Sequence, residues 1–151
     1  MNKKTLRITN IFLTAIIIVI FTVSFLPQKT QTISGGNSYG AIYNGNKEKK
    51  EVSLMFNVYE NTQTVNRILD VLKQNEVKAT FFVGGCWADD NVETLKRIIL
   101  EGHELGNHGY FHKDHKKLGE VENRREIVDN HNIIKALTGY EMTLFAPPSG
   151  S

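Results

Sequence analysis

Four of the chain's five histidines fall between residues 102 and 115, in the run Gly-His-Glu-Leu-Gly-Asn-His-Gly-Tyr-Phe-His-Lys-Asp-His. Imidazole is the commonest protein ligand for transition metals. His108 and His112 stand four positions apart. In a helical turn that spacing puts both rings on one side, where one ion can bridge them. The stretch therefore points to a metal site. His103 and His131 are expected to be structural, His103 at the start of a strand against a helix end and His131 within a helix.

The residues before and after this run must position it. Val52, Leu54 and Phe56 alternate with Ser53 and Met55 and read as a strand with a buried look. Val65, Ile68, Leu69 and Leu72 recur at helical spacing, with Asn75 as a stop. Val77 to Val83 is β-branched and aromatic and ends at Gly84-Gly85, a second strand. A helix capped by Asp89 or Asp90 is expected through Val92, Leu95, Ile98 and Ile99, ending at Gly102. His103 to Asn107 predicts a short strand. Leu118, Val121, Ile127, Val128, Ile134 and Leu137 outline a helix to Gly139, and Met142 to Ala146 predicts a fourth strand stopped by Pro147-Pro148. The order β-α-β-α-β-α-β predicts an α/β fold with a parallel sheet. In such sheets sites form at the carboxyl ends of the strands. Three chemistry-bearing turns lie there: Asn57-Val58-Tyr59, Asn107 to His115, and Pro147 to Gly150.

Upstream, residues 11–26 read IFLTAIIIVIFTVSFL, preceded by Lys3, Lys4 and Arg7. A basic flank followed by such a run is a secretory signal or a membrane anchor. Counted from Ile8, it approaches the roughly 20 residues that a span needs. No Ala-x-Ala cleavage site follows, so residues 1–26 are expected to be a basic flank and an uncleaved anchor, with membrane contact through residues 8–26. The basic excess before it predicts the remainder on the outer side; a secreted form is expected only if the segment is cleaved. Residues 27–50 are polar and glycine-containing and read as a linker, so the domain occupies residues 51–151. The net charge of +2 argues neither for nor against a nucleic-acid partner, and none is expected. The single cysteine, Cys86, cannot form an internal disulfide and has no basic sequence neighbour to activate it.

Taken together, VSLMFNVYEN, VKATFFVGG, GHELGNHGYFH and LFAPPSG resemble the polysaccharide deacetylase family, the NodB homology domain of carbohydrate esterase family 4. The resemblance covers about residues 51–151. It implies the first β-α repeats of a distorted parallel (β/α) barrel. It also implies a hydrolase that removes N-acetyl groups, a carbon–nitrogen non-peptide bond, from peptidoglycan or chitin-like amino sugars. The implied cofactor is one divalent metal, zinc in the first instance, held by an Asp and two His. His108 and His112 match the two histidine positions. The first family motif, usually Thr-Phe-Asp-Asp-Gly, here reads Met55-Phe56-Asn57-Val58-Tyr59. Asn57 thus stands at the base position and Val58 at that of the metal-binding Asp. Ala146 stands where the family carries Arg. Tyr59, Pro147 and Pro148 fall where substrate is bound.

An amide takes no proton from water, and valine offers a metal no lone pair. Ordinary turnover is not expected from such residues. Asp114 or His115 could complete a variant metal site, and Glu60 is a candidate base. Three functions remain open: a wall-directed deacetylase with an altered site, a glycan-binding relic, and a fragment of a longer protein. The stop at a turn just after a motif favours the last. The oligomeric state is left open.

Overall fold

The computed structural model describes residues 48–150 continuously, with Asn2, Thr5, Thr9, residues 12–17, Ala41 and residues 43–45. The chain divides into two units, Met1–Tyr43 and Asn44–Ser151. In the first, residues 12–17 are helical. Most of the expected anchor lies outside the described residues. Among the described residues no helix is long and apolar enough to cross a membrane.

The second unit runs β1 (Met55–Val58), α1 (Thr62–Gln74), β2 (Thr80–Val83), α2 (Gly85–Asp90), α3 (Val92–Leu100), β3 (Glu104–Asn107) and α4 (Glu120–Thr138). Short 3-10 turns occupy His115–Lys117 and Pro148–Gly150. The strands form a parallel sheet in the order β1-β2-β3. Met55 pairs with Thr80, and Thr80 with Glu104. The α/β class and parallel sheet are therefore as expected, and they match the opening repeats of the implied barrel.

Three expectations need correction. Met142 to Ala146 does not form a full strand. It makes one parallel bridge, Phe145 with Asn107, with Asn107 N donating to the Leu144 carbonyl and Ala146 N to the Asn107 carbonyl. Pro147 and Pro148 follow at once and have no N–H to extend the ladder. The helix expected from Asp89 or Asp90 is present as Val92–Leu100 but is capped at Asn91, and a further short helix, Gly85–Asp90, precedes it; the Asn91 side chain bonds the Trp87 carbonyl and receives the Thr62 hydroxyl. The last helix starts at Glu120, not Leu118, and Val121 faces solvent at 80% exposure.

α1 forms as its spacing predicts. Asn61 takes a left-handed conformation and its side chain accepts from Thr64 N. Val65, Leu69 and Leu72 face inward. They join Phe81, Val83, Leu95, Ile98, Leu105 and Ile134 in the core. Phe56 stacks on Phe81 with ring centroids 5.1 Å apart. A polar seam fastens α1 to α3: Arg97 reaches Asn66 Oδ1 and Asp70, and Asn66 reaches Thr94.

Gly106 in β3 is fixed by its neighbour, since a Cβ there would stand 2.4 Å from the Phe82 ring. Gly106→Ala should cost about 1–3 kcal/mol through overpacking. Leu95→Ala, at a fully buried site, should cost about 2–5 kcal/mol. Urea unfolding followed by circular dichroism reads both.

Candidate functional site

The carboxyl ends of the strands carry the candidate residues. β3 ends at Asn107, whose side chain is a junction. Its Oδ1 accepts from Gly109 N and from Asn130 Nδ2, and its Nδ2 donates to the Ile127 carbonyl. Asn130, fully buried on α4, also donates to the carbonyls of Val83 and Gly109. Two N–H groups thus serve three acceptors. His108 N continues the sheet to the Val83 carbonyl. Gly109 can follow because its φ of +76° suits glycine. The next residues turn over α2, where Gly85 N and Cys86 N donate to the carbonyls of Gly109 and Tyr110.

This loop brings His108 and His112 together without a helix. Their ring centroids lie 4.9 Å apart, edge to face, with His112 at a left-handed φ of 54°. The helical-turn geometry expected from the four-residue spacing is therefore replaced by a loop, and the pairing itself is present. His108 is 1% exposed, and its Nδ1 meets the Ala146 carbonyl at 2.7 Å. A carbonyl only accepts, so Nδ1 carries the proton and Nε2 keeps its lone pair. Desolvation by burial pulls the His108 pKa below the usual 6.5, opposed by the Ala146 bond.

Tyr59 stacks on the other side of His112, with centroids 4.8 Å apart and planes at 28°. Its ring also lies against Gly84, where an added Cβ would come within 2.3 Å of it. Burial pushes the pKa values of the Tyr59 phenol and the Cys86 thiol up. Cys86 is thus a protonated packing partner, as the sequence implies. Asn57 lies on the exposed side of β1, inside the strand and not at a turn after it. Val58 points into the core at 4% exposure.

Other candidates sit differently. Asp114 caps the turn at His115–Lys117 and pairs with Lys117, whose hydrogen bond lowers its pKa. His115 rests edge-on against Phe145, and its buried Nε2 has no hydrogen-bond partner among the described residues. Glu60 is exposed just after β1. Pro147 is half-buried and Pro148 buried behind the His108 loop. His103 bonds the helix end as expected, its N–H donating to the Ile98 carbonyl in the last turn of α3, and its Nδ1 accepts from Ala79 N, ahead of β2.

Sequence reading missed Glu126. This α4 carboxylate is 3% exposed, accepts from Phe111 N at 2.7 Å and pairs with Lys113. It holds the loop that carries His112. Its position in a helix among surface charges gave no signal of burial.

The sequence profile of the polysaccharide deacetylase family matches residues 44–151. The chain belongs to the polysaccharide deacetylase family. The Bacillus cereus peptidoglycan-N-acetylglucosamine deacetylase is 39% identical over 112 residues, covering 74% of this chain and 41% of that protein. Among solved structures, a pseudoenzyme of carbohydrate esterase family 4 from Bacillus anthracis superposes with a TM-score of 0.70 at 41% identity, covering 73% of this chain and 39% of its own. A mutant of that protein with restored enzymatic activity gives a TM-score of 0.70 at 38% identity, covering 73% and 40%. The chain spans well under half the length of these relatives.

The family implies a metal. Here the ring of His108 lies beside that of His112, and Val58, at the position where the family motif has its metal-binding Asp, is buried in the apolar core and offers no lone pair. Among the described residues no group of three or more His, Cys, Asp or Glu side chains is placed to hold an ion. The donor set does not fit a catalytic metal centre of the three-ligand kind.

Two predictions follow from the polar junction and the buried rings. Asn130→Ala should destabilise the fold by about 1–3 kcal/mol, the cost of stranding buried acceptors. Asn130→Asp should be worse at neutral pH, because a carboxylate would face three oxygens, and milder in acid, where it regains a proton; thermal unfolding at pH 7 and pH 4 compares the two variants. The folded state holds the pKa values of His103 and His108 below 6.5, chiefly by desolvation. The unfolded chain therefore takes up protons first as pH falls. The stability tied to the neutral rings is complete above 6.5 and is lost as pH drops through that value toward the folded ones. Urea midpoints between pH 8 and pH 5 should show this slope, and His103→Gln and His108→Gln should flatten it.

Proposed function

We propose that this chain is a wall-directed, non-hydrolytic member of the polysaccharide deacetylase family, which binds peptidoglycan glycan through the His108 rim and leaves its N-acetyl groups intact. The observation that carries this reading is Val58: the position that should offer a carboxylate to the ion is a buried aliphatic side chain. Asn57 beside it cannot take a proton from water. The rim is nevertheless assembled, with its tautomer set by Ala146 and its rings braced by Tyr59. The substrate class comes from the relatives, whose names specify peptidoglycan. The existence of a pseudoenzyme at 41% identity supports the loss of chemistry on a retained fold.

Tyr59, Pro147 and Pro148 are the proposed glycan contacts. The apolar run at residues 8–26 and its basic flank support a membrane tether with the domain on the outer side.

A second reading, a deacetylase with a variant zinc site, is favoured by one observation: His115 Nε2 is buried near Gly109 of the loop and lacks a partner among the described residues. In that reading His115 joins His108 and His112.

Zinc titration of the full chain separates the two. The first reading expects no tightly held ion and no acetate release from peptidoglycan or chitin oligomers. It also expects that Asn57→Asp with Val58→Asp creates a zinc site that His108→Ala removes. One ion held tightly by the unaltered chain and lost in His115→Ala would favour the variant centre. Pull-down on purified peptidoglycan tests the binding itself; failure to bind, in a folded sample, would sink the glycan reading.

A further inference from the structure

Asn44 and Gly45 open the second unit, and Asn44 is the chain's only asparagine followed by glycine. Both residues are exposed, and neither belongs to a helix or a strand. A Cβ added at Gly45 would meet nothing within 4 Å. Among the described residues no hydrogen bond engages the Asn44 side chain or the Gly45 N–H. Neither packing nor hydrogen bonding there fixes the torsions of this pair.

Other asparagines of the α/β unit show the contrast. The carboxamides of Asn61, Asn75, Asn91, Asn107 and Asn130 are all tied by hydrogen bonds. Asn107 and Asn130 are also buried. Each of the five is followed by a residue with a side chain, respectively Thr62, Glu76, Val92, His108 and His131. A Cβ on the following residue crowds its backbone nitrogen, and glycine has none. Attack by that nitrogen on the preceding carboxamide is intramolecular, so its rate follows from how readily the two groups reach each other. The fold withholds that approach at the five tied positions and leaves it open at Asn44.

We propose that Asn44 is a modification site, at which the chain converts without an enzyme to isoaspartate and aspartate. Hydroxide takes the proton of the Gly45 amide. The Gly45 nitrogen attacks Asn44 Cγ; the N–Cγ bond forms and the Cγ–Nδ2 bond breaks. Nδ2 takes up a proton and leaves as ammonia. The product is a cyclic imide, which water opens by breaking one of its two carbon–nitrogen bonds. Opening at Cγ gives aspartate on the ordinary main chain. Opening at the Asn44 backbone carbonyl gives isoaspartate, with the main chain routed through Cβ and Cγ. One water is consumed, one ammonia is released, and nothing is oxidised or reduced. A neutral amide becomes a carboxylate, so the formal net charge of +2 falls by one. The new charge lies a few residues before Lys49 and Lys50, ahead of β1. This site is independent of the glycan reading of the His108 rim and stands or falls separately.

The test incubates the full chain in detergent at neutral and mildly alkaline pH. Samples taken over time are digested with trypsin, and the peptide of residues 30–47 is followed by chromatography and mass spectrometry. Asn44 should gain about one mass unit, as an amide becomes an acid. Two products should separate, isoaspartate and aspartate, and the rate should rise several-fold with each pH unit. Gly45→Ala should slow the conversion by about tenfold, because its methyl group crowds the attacking nitrogen. Asn44→Gln should abolish it at this position. Guanidinium should leave the Asn44 rate within about twofold, since the fold gives this pair no protection. A chain unchanged at Asn44 while a free peptide of residues 30–47 converts would overturn the proposal. So would aspartate without isoaspartate, which marks direct hydrolysis with no imide. An equal rate in Gly45→Ala would remove the role of the glycine. Faster conversion of another asparagine in the folded chain, or a large acceleration of Asn44 by guanidinium, would show that the fold does not single out this pair.

Discussion

The rim depends on the side-chain amides of Asn107 and Asn130. A parallel strand that ends inside a fold leaves carbonyls pointing at the next layer, and those groups need donors. Asn130 reaches across from α4 and supplies them to β2, to β3 and to the turn after it in one place. Asn107 passes the connection back to α4 through Ile127 and on to Gly109. Sheet, loop and helix are thereby locked in one register. His108 sits in that register as the next residue, so its buried position is set by backbone hydrogen bonds and not by any ligand.

Glu126 does for the second half of the loop what Asn130 does for the first. Its carboxylate accepts the Phe111 N–H where the chain doubles back toward a left-handed His112. Tyr59 then supplies a flat face against the His112 ring. In a family whose first motif usually ends in glycine, this ring fills space on the His112 side of the site. The Ala146 carbonyl thus holds the His108 ring and Tyr59 the His112 ring, so protein contacts set the geometry of the pair.

Much of this was legible in the sequence because it follows from period and punctuation. α1 shows an inward face at positions 65, 69 and 72, and a stop at Asn75. β2 belongs to a β-branched and aromatic run that ends at Gly84, and β3 ends at Asn107. The histidine pair was visible as a motif. The illegible parts belong to tertiary context. Helix α2 is six residues long, opens without a side-chain cap, and is fixed by carbonyls from the loop after β3, more than twenty residues later in the chain. Glu126 looks like a surface charge until the loop folds over it. The fourth strand failed because strand pattern does not reveal that two prolines will leave a single bridge. The joining of His108 to His112 came true by a route other than the one the spacing suggested, since residue spacing fixes proximity only once the backbone path is known.

The change at Val58 also alters what the fold must tolerate. A buried carboxylate at the sheet end is costly unless an ion or a cation neutralises it. An aliphatic side chain at the same place joins the apolar core and asks for no partner. Val58 is continuous with Val65, Leu69 and Val83 in that core. In the proposed reading, valine in place of the family's Asp exchanges a buried charge that needs a partner for an apolar side chain that needs none. Such exchanges are the usual direction of the conflict between stability and activity. Asn57 completes the same step on the solvent side, where an amide is neutral at every pH and exerts no repulsion on a neighbouring acid. In the non-hydrolytic reading proposed above, Asn57 and Val58 are therefore physically coherent: an amide and an aliphatic side chain stand where the family motif has two carboxylates, while the strand, its pairing and the histidine loop stay in place.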